Sequence, residues 1–393
     1  MSGERMEFPG WPFYTQDEID AVGDVLASGR VNYWTGPHGR AFEKEFAAYH
    51  GGGFAVALAN GTVALEIALR GLGIGPGDDV VVPCRTFIAT ASAVVAVGAR
   101  PVVADIDVVS GNITAAGIQD VLTSATRAVI VVHLGGRPCE MDELMALAEA
   151  HDLKLIEDCA QAIGAEYRGK KIGTFGDAAA FSFCQDKIVT TGGEGGMLLT
   201  ADESLWKRAW SYKDHGKDMD KAMAPREGGS YIWLHDTFGS NARMTEMQAA
   251  IGRIQLDKLD EWIAQRRSNA TVLFEQLEKT DGLLFDSSPD YMQHVYYRSY
   301  LRFAEDRLHG DWNRERIVVA ISSQGVPCFQ GSCNEIYREQ AFARQVAQPT
   351  GRLAGALELD HTSFCLLCHP TLNEAHMSRM AEVVADVMQQ AVR

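Results

Sequence analysis

The sequence predicts an α/β fold in which a mostly parallel sheet is flanked by helices. Short apolar runs alternate with helical patterns through the first half of the chain, as expected of a layered α/β domain. The runs are continuous rather than alternating, which is typical of parallel strands buried on both faces. Helical patterns such as Thr62–Leu72 and Glu140–His151 lie between several of them. The predicted strands are Phe54–Leu58, Asp79–Val82, Pro101–Ala104, Ala128–His133, Lys154–Glu157, Ala178–Phe183 and Gly196–Leu199.

A second, smaller α/β unit is predicted after residue 245, where the pattern changes. Residues 245–279 read as one long helix, with Met247, Ile251 and Ile254 on an apolar stripe. We therefore predict a large domain at 1–255 and a small domain at 256–393. The elements predicted after the long helix are a strand at Val295–Phe303, a helix at Asp311–Gly325, a strand near Phe364–Cys368 and a last helix at Asn373–Val392.

Charge and composition restrict the partners of this chain. The 393 residues carry a formal net charge of -16, which argues against a nucleic-acid or anionic-membrane surface. A single phosphate site remains compatible, because local backbone N–H groups can outweigh global charge. The first ten residues lack an apolar signal segment, and we find no apolar run of about 18 residues that could span a membrane. We expect a cytoplasmic protein.

The eight cysteines are expected to be reduced thiols, since that is the usual state in the cytoplasm. Cys365 and Cys368 form a C-x-x-C, a spacing that redox and metal sites also use. They lie in an apolar run, no second pair has metal-binding spacing, and strand positions three apart face opposite sides. We predict a packing role for both cysteines and no metal site.

Asp158 follows the predicted strand at Lys154–Glu157, at the edge where open α/β sheets bind their ligands. A carboxylate in that place can hold a cationic ring nitrogen, which pyridoxal 5′-phosphate (PLP) requires when its ring accepts electrons. The alternative is that Asp158 caps a helix, as aspartate often does after a strand.

Lys187 follows the apolar strand at Ala178–Phe183, so the sequence predicts a buried lysine. Burial of lysine is costly, and it favours the neutral amine that forms a Schiff base with an aldehyde, so we expect a lowered pKa. The glycines of the following segment, Thr190–Gly196, allow a sharp turn and a close approach to a ligand. A surface lysine beside a flexible turn is the alternative.

Two shorter segments fit a phosphate and a planar ring. Asn60 ends a predicted strand, and Gly61 and Thr62 open a helix, whose N-terminal N–H groups favour phosphate. Phe87, after the strand at Asp79–Val82, could stack on a ring. An ordinary βα turn and a core phenylalanine are the alternatives.

In their order along the chain these segments resemble the DegT/DnrJ/EryC1/StrS family of PLP-dependent sugar aminotransferases, which has the aspartate-aminotransferase fold type I. The similarity extends from about Pro12 to the last helix. It rests on the motifs Asn60–Leu65, Gly75–Asp78, Thr86–Phe87, Glu157–Gln161, Phe181–Phe183, Lys187, Gly193–Gly196 and Gly239–Met244.

The resemblance implies a role for each matching residue. Lys187 would form the Schiff base and move the proton, and Asp158 would pair with the pyridine nitrogen. Phe87 would lie over the ring, and Gln161 near its phenolic oxygen. The phosphate would be held by Gly61, Thr62 and Ser182, and by Asn241 across the interface of a homodimer.

Substrate contacts are less clear from the sequence. Tyr33 and Trp34 lie where the family's entry loop is expected, so that the N-terminal segment would contribute to the substrate entrance. They could stack on a sugar or nucleotide, or serve as interface aromatics. His215 and Arg243 are further candidates. The segment Pro327–Tyr337 departs from the family pattern, so no substrate contact is inferred there.

The predicted function is transamination of a nucleotide-linked keto sugar for amino-sugar biosynthesis. Glutamate or glutamine is the expected amino donor. Related dehydratases carry histidine at the lysine position, and Lys187 favours transamination over them. A sugar dehydratase and a non-catalytic regulator of the same fold remain alternatives. A nicotinamide dehydrogenase ranks last, because no G-x-G-x-x-G follows a predicted strand.

Overall fold

The computed structural model describes residues 6–224, 232–285, 288–345 and 349–393. Its centre is a sheet with the strand order β1-β9-β8-β5-β4-β2-β3. Strand β9 is antiparallel to both neighbours, and the other pairs are parallel, which confirms the predicted mostly parallel sheet. The strands of this sheet are β1 (Phe54–Leu58), β2 (Asp79–Pro83), β3 (Arg100–Ala104), β4 (Thr126–Val132), β5 (Lys154–Asp158), β8 (Ala178–Ser182) and β9 (Gly196–Thr200).

Helices cover this sheet, and its strands contribute to an apolar core on each face. In β4, Val129 and Val131 belong to one core, whereas Ala128 and Ile130 belong to the other. The alternation follows from the two-residue period of a strand. The helices of this part of the chain are α1 (Gln16–Ser28), α2 (His38–Tyr49), α3 (Gly61–Gly71), α4 (Ala89–Ala96), α5 (Ala115–Gln119), α6 (Met141–Ala150), α7 (Glu203–Lys213) and α8 (Met219–Met223).

Helix α9 (Glu246–Leu277) connects the large core to a smaller one. It begins with a capping box, in which the Thr245 hydroxyl accepts from the Gln248 backbone N–H. Leu256 and Ile263 pack in the large core, whereas Leu273 and Leu277 pack in the small one. The helix therefore changes core C-terminal to residue 263, and the domain boundary at 255/256 stays a prediction.

The smaller unit contains an antiparallel sheet with the order β10-β12-β14-β13. A separate sheet of three strands has the order β11-β6-β7. Strand β12 is shorter than the predicted Val295–Phe303. The backbone N–H groups of Val295 and Arg298 donate instead to the carbonyls of Gly136 and Gly135 in the large domain. The remaining strands are β6 (Glu166–Tyr167), β7 (Lys170–Lys171), β10 (Leu283–Leu284), β11 (Met292–Gln293), β12 (Ser299–Phe303), β13 (Cys328–Phe329) and β14 (Ser363–Leu366). The remaining helices are α10 (Arg314–Ser323), α11 (Gln340–Gln345), α12 (Ala354–Thr362) and α13 (Glu374–Ala391).

All eight cysteines are free thiols. Cys365 and Cys368 are both buried, and the Cys368 thiol donates to the Tyr296 carbonyl at 2.8 Å. Burial raises the pKa of both thiols, which keeps them protonated at neutral pH. Among the described helices, none is long and apolar enough to cross a membrane.

Candidate active site

A cavity of about 810 Å³ opens at the carboxyl ends of β2, β4, β5 and β8. This is the edge at which open α/β sheets bind ligands. The cavity brings together seven of the residues predicted from the sequence, which are Gly61, Thr62, Phe87, Asp158, Gln161, Ser182 and Lys187. They come from four separate stretches of the chain, so only the fold makes them neighbours.

One end of the cavity is the N-terminus of α3. The Asn60 side chain caps the helix by accepting from the Val63 N–H at 2.9 Å. At Gly61 an added Cβ would lie 2.7 Å from Ser182 Cβ, so a larger residue would have to displace Ser182 of β8. Thr62 and Ser182 line the cavity at this end. Free N–H groups, hydroxyls and the helix dipole together suit a phosphate group.

Asp158 lies on the floor of the cavity and is buried. Its carboxylate accepts from the Thr90 hydroxyl at 3.0 Å and from the Ala160 N–H at 3.1 Å. Burial raises the pKa of this carboxyl in spite of these donors. A cation at Asp158, such as a protonated ring nitrogen, would restore the charged form.

Lys187 projects into the same cavity and is mostly shielded from solvent. Its Nζ lies 4.8 Å from the centroid of the Tyr297 ring and 3.8 Å from Asp186 Oδ1. Burial alone lowers the pKa of the ammonium, but Tyr297, Asp186 and Asp158 outweigh burial and the net pKa is raised. The expected lowered pKa is therefore wrong for the cofactor-free chain, because carboxylates surround the amine.

Phe87 and Gln161 occupy different walls. The Phe87 side chain is 69% exposed at the mouth of the cavity, so a packing role in the core of this chain is excluded. Gln161 is buried, and its Oε1 accepts from the Gly135 N–H at 2.7 Å. That bond directs the amide NH₂ of Gln161 away from Gly135, where it can donate to a ligand oxygen.

The other predicted residues lie outside this cavity and gather around the buried Asp214. The Trp34 indole N–H and Arg243 Nη1 each donate to the Asp214 carboxylate at 2.6 Å. Asn241 pairs with Asp214 through its backbone, and the His215 N–H donates to the Ser240 carbonyl. The substrate roles of Trp34, His215 and Arg243, and the phosphate contact of Asn241, stay predictions.

Tyr33 requires a correction. Its side chain is only 2% exposed, and its hydroxyl donates to Glu43 and accepts from the Trp210 indole N–H. The Lys213 ammonium lies 3.9 Å from the ring centroid. A ring that is already packed in this way cannot stack on a sugar, so the predicted substrate role is wrong and Tyr33 is a core residue.

The small domain supplies a wall that sequence analysis missed. Tyr297 and Arg298 lie on the chain before β12, and the Tyr297 hydroxyl donates to Asp186. The Arg298 guanidinium is 3.4 Å from Asp186 and stacks near the rings of Tyr297 and Phe329. The segment around β13 adds Phe329, Gly331, Ser332 and Cys333, which fall within the stretch that departs from the family pattern. The only sign of this wall in the sequence is the run of tyrosine and arginine at Tyr296–Arg298, within the predicted strand.

A polar cluster under the floor holds the strand end in place. Glu157 accepts from the backbone N–H groups of Gly173, Phe175 and Gly176, and from His133 Nε2. His133 Nδ1 accepts from the Cys139 N–H, which fixes the proton on Nε2. His133, Glu157 and Cys159 lie close enough to hold a metal ion, but the Glu157 oxygens are already occupied by hydrogen bonds, so we assign the cluster a structural role.

The site fits PLP. The glycine that opens α3 against Ser182, a buried carboxylate with a raised pKa and a lysine amine all line one cavity. This set of groups on this sheet defines a fold type I PLP-dependent enzyme.

Comparison with known proteins assigns the family. Residues 12–385 match the model of the DegT/DnrJ/EryC1/StrS aminotransferase family, and the chain belongs to that family. It is an aminotransferase, and its cofactor is PLP.

Relatives of known name and structure match three quarters of the chain or more. The UDP-N-acetyl-3-dehydro-alpha-D-glucosamine 3-aminotransferase of Acidithiobacillus ferrooxidans is 36% identical over 370 residues, 94% of this chain and 93% of the relative. GDP-perosamine synthase of Escherichia coli O157:H7 is 36% identical over 296 residues, 75% of this chain and 78% of the relative. The X-ray structure of an aminotransferase from Psychrobacter cryohalolentis is 46% identical, has a TM-score of 0.95 and covers 98% and 99% of the two chains.

Proposed function

We propose that this chain transfers an amino group from glutamate, or glutamine, to a keto sugar carried on a nucleoside diphosphate, as a step of amino-sugar biosynthesis. The observation that carries the proposal is the placement of Lys187 and Asp158 in one cavity of a sugar-aminotransferase-family chain. The names of relatives give the substrate class, since one acts on a UDP-linked and another is named for a GDP-linked amino sugar.

The cavity is large enough for this assignment. Ligand sites commonly measure about 300–1,000 Å³, and about 810 Å³ leaves room for a sugar beside the cofactor. Tyr300, Phe329 and Ser332 of the small domain face the catalytic end. Aromatic rings and hydroxyls of this kind bind the apolar faces and hydroxyls of a sugar.

PLP, when bound, acts as the electron sink that makes the amino-bearing carbon acidic. The protein groups then divide the remaining work. The amine of Lys187 removes and returns the proton at the reacting carbon, as a general base and acid. Asp158 would hold the ring nitrogen protonated, and Gly61, Thr62 and Ser182 would hold the phosphate, since all four residues line the cavity.

Asp186 and Tyr297 set the charge and the position of Lys187 in the cofactor-free chain. Their charge and hydrogen bonds favour the ammonium form in the cofactor-free chain, and the Tyr297 ring limits the positions open to Nζ. Asp186 Oδ1 lies 3.8 Å from Nζ, so that a water molecule between them would carry the proton that the ammonium has to give up.

The test combines spectroscopy with product analysis. Purified protein supplied with PLP should show an absorbance band above ~400 nm that shifts when glutamate is added. Lys187→Ala should lose the band and all turnover, whereas the exposed-site control Lys279→Ala should keep both. Nucleotide-linked keto sugars are then screened with glutamate and glutamine, and products are read by mass spectrometry. Water loss from the sugar without glutamate consumption would instead establish a dehydratase.

We further propose that the active chain is a homodimer with shared sites. Large apolar side chains remain uncovered in the single chain, with Phe238 fully exposed and Trp233 85% exposed. Asn241 is exposed nearby in sequence and does not reach the cavity of its own chain, as a residue acting on the partner's phosphate requires. Analytical ultracentrifugation of the PLP-loaded protein should give twice the chain mass, and a monomer that is fully active would contradict the shared site.

A further inference from the structure

A second cavity, of about 660 Å³, lies where the large domain meets the small sheet and the end of α9. Tyr300 lines both this cavity and the active site, so the two are neighbours with a common wall. Lys187, Asp158 and the phosphate end of the active site do not line it. The transamination chemistry therefore leaves this cavity unexplained.

Arg85 is the unusual residue of this cavity. It follows β2, is only 4% exposed and lies with Cζ 4.5 Å from the centroid of the Tyr300 ring. Its Nε and Nη2 are shielded from solvent and have no hydrogen-bond partner among the described residues. A buried guanidinium without a carboxylate costs several kcal/mol in solvation, which one aromatic contact offsets only in part.

The backbone of the neighbouring loop leaves space for this guanidinium. Gly111 has φ +69°, and a Cβ at this position would collide with Arg85 Nη1. Val109 and Ser110 of the same loop line the cavity. The arrangement therefore holds the charged group at the cavity wall instead of releasing it to solvent.

A second positive charge lies close to the first. Arg302 of β12 lines the cavity, and its proximity adds to the burial that lowers the pKa of Arg85. Arg137 lines the cavity as well, and Arg302 is 3.8 Å from Glu358. Like charges from the two domains repel each other unless an anion lies between them.

The carboxylates of the cavity do not neutralise Arg85. Glu275, Glu278 and Asp290 line it from α9 and the segment that follows, and none of the three is among the groups that shift the pKa of Arg85. Phe274 and Tyr296 add aromatic surface to the same cavity. The cavity thus offers guanidinium groups for an oxyanion and room for the organic body that bears it.

We propose that this cavity is a second binding site, for a small ligand with a phosphate or carboxylate group that bridges Arg85 and Arg302. Guanidinium groups bind both kinds of oxyanion through paired hydrogen bonds. Because the two arginines come from different domains, the ligand also fastens the small domain to the large one. This inference does not depend on the proposed function, because neither Arg85 nor Arg302 lines the transamination site, and the two cavities share Tyr300 as a common wall.

Titration calorimetry on the PLP-loaded protein tests the site, with inorganic phosphate and glutarate as separate probes. PLP fills the catalytic phosphate position, but the substrate part of the active site can also bind a carboxylate or a phosphate. Binding is therefore assigned to this cavity by its loss in the arginine variants. Arg85→Met and Arg302→Met should each weaken binding of the preferred probe at least tenfold. The exposed-site control Arg379→Met should bind as the wild type does. If phosphate binds more tightly, the site recognises a phosphate group. If glutarate binds more tightly, it recognises a carboxylate.

Thermal unfolding supplies an independent readout with a definite sign. Without an anion, Arg85→Met should have a Tm equal to or above that of the wild type, because an unpaired buried charge is removed. Only the wild type and the control should then gain Tm when the probe is added. Equal probe affinity in wild type and Arg85→Met, no binding of either probe by the wild type, or a clear loss of Tm in anion-free Arg85→Met would overturn the proposal.

Discussion

Glu157 and Asp158 are adjacent carboxylates with opposite properties. Consecutive strand residues face opposite sides of the sheet, so Glu157 points into a cluster of donors and Asp158 points into the cavity. Burial opposes both charges, but His133 and the backbone N–H groups of Gly176 and Gly173 leave the pKa of Glu157 lowered. Asp158 has fewer donors, and burial leaves its pKa raised. The first carboxylate is structural, and the second is available for a cationic ligand.

Replacement of Asp158 by asparagine should separate catalysis from folding. We expect turnover to fall about 10²-fold or more, because the ring nitrogen loses its anionic partner. A carboxyl with a raised pKa in the folded chain opposes folding above its unfolded pKa, so the cofactor-free variant should be no less stable at pH 7. Steady-state kinetics and urea unfolding of Asp158→Asn measure the two effects, with exposed Asp142→Asn as control. Near-normal turnover would remove Asp158 from the catalytic group.

At the scale of the element, the turn from β1 into α3 is tightly packed against neighbouring strands. Gly61 faces Ser182 of β8, and at Gly196 of β9 an added Cβ would collide with the backbone of Asn60. Three elements thus meet where a phosphate would lie. The sequence predicted the helix start at Gly61–Thr62, but only the contact with β8 and β9 explains why small residues are required.

Gly61→Ala should weaken PLP binding without preventing folding. The added methyl must displace Ser182, and overpacking of this kind costs about 1–3 kcal/mol, equivalent to roughly 5–150-fold in affinity. Gly23→Ala is the matched control, because Gly23 lies in α1 with open space around it and alanine favours a helix by about 1 kcal/mol. Equilibrium dialysis of PLP should therefore show a loss for Gly61→Ala alone. Equal affinity in both variants would contradict the placement of the phosphate.

Elements of the central sheet were predictable to within two residues. In β2 and β4 the runs Val80–Val82 and Ala128–Val132 are buried on both faces and apolar, and a polar residue precedes each run. Strand β12 was predicted too long for a different reason. Residues 295–298 are buried like a strand, but they bond to the loop at Gly135–Gly136, and that loop is distant in sequence.

At the scale of the whole molecule, two buried histidines make the fold sensitive to acid. Burial lowers the pKa of His50 to about 4 and that of His369 to about 3, against 6.5 for a free histidine. The unfolded chain therefore binds protons that the folded chain does not, and stability is lost as the pH falls from 6.5 towards these values. Each group should cost about 2 kcal/mol at pH 5 relative to pH 7.

Chemical unfolding at pH 7 and pH 5 measures this loss. His50→Gln should reduce the difference between the two pH values by about 2 kcal/mol, whatever its effect at pH 7. The exposed residue His151 provides the control, and His151→Gln should leave the difference as in the wild type. An unchanged difference in His50→Gln would show that His50 is not a buried neutral group in solution.

The sequence by itself determined the fold class, the order of the elements and seven residues that line the candidate site. These are local properties, since an apolar run, a helix cap and a lysine after a strand each occupy a few consecutive positions. Tertiary structure alone decided that Tyr33 packs in the core, that Tyr297 and Arg298 line the cavity with Lys187, and that Arg85 and Arg302 line a second cavity. The burial of a ring and the charge around an amine depend on segments far apart in the chain, and no window of sequence contains both partners.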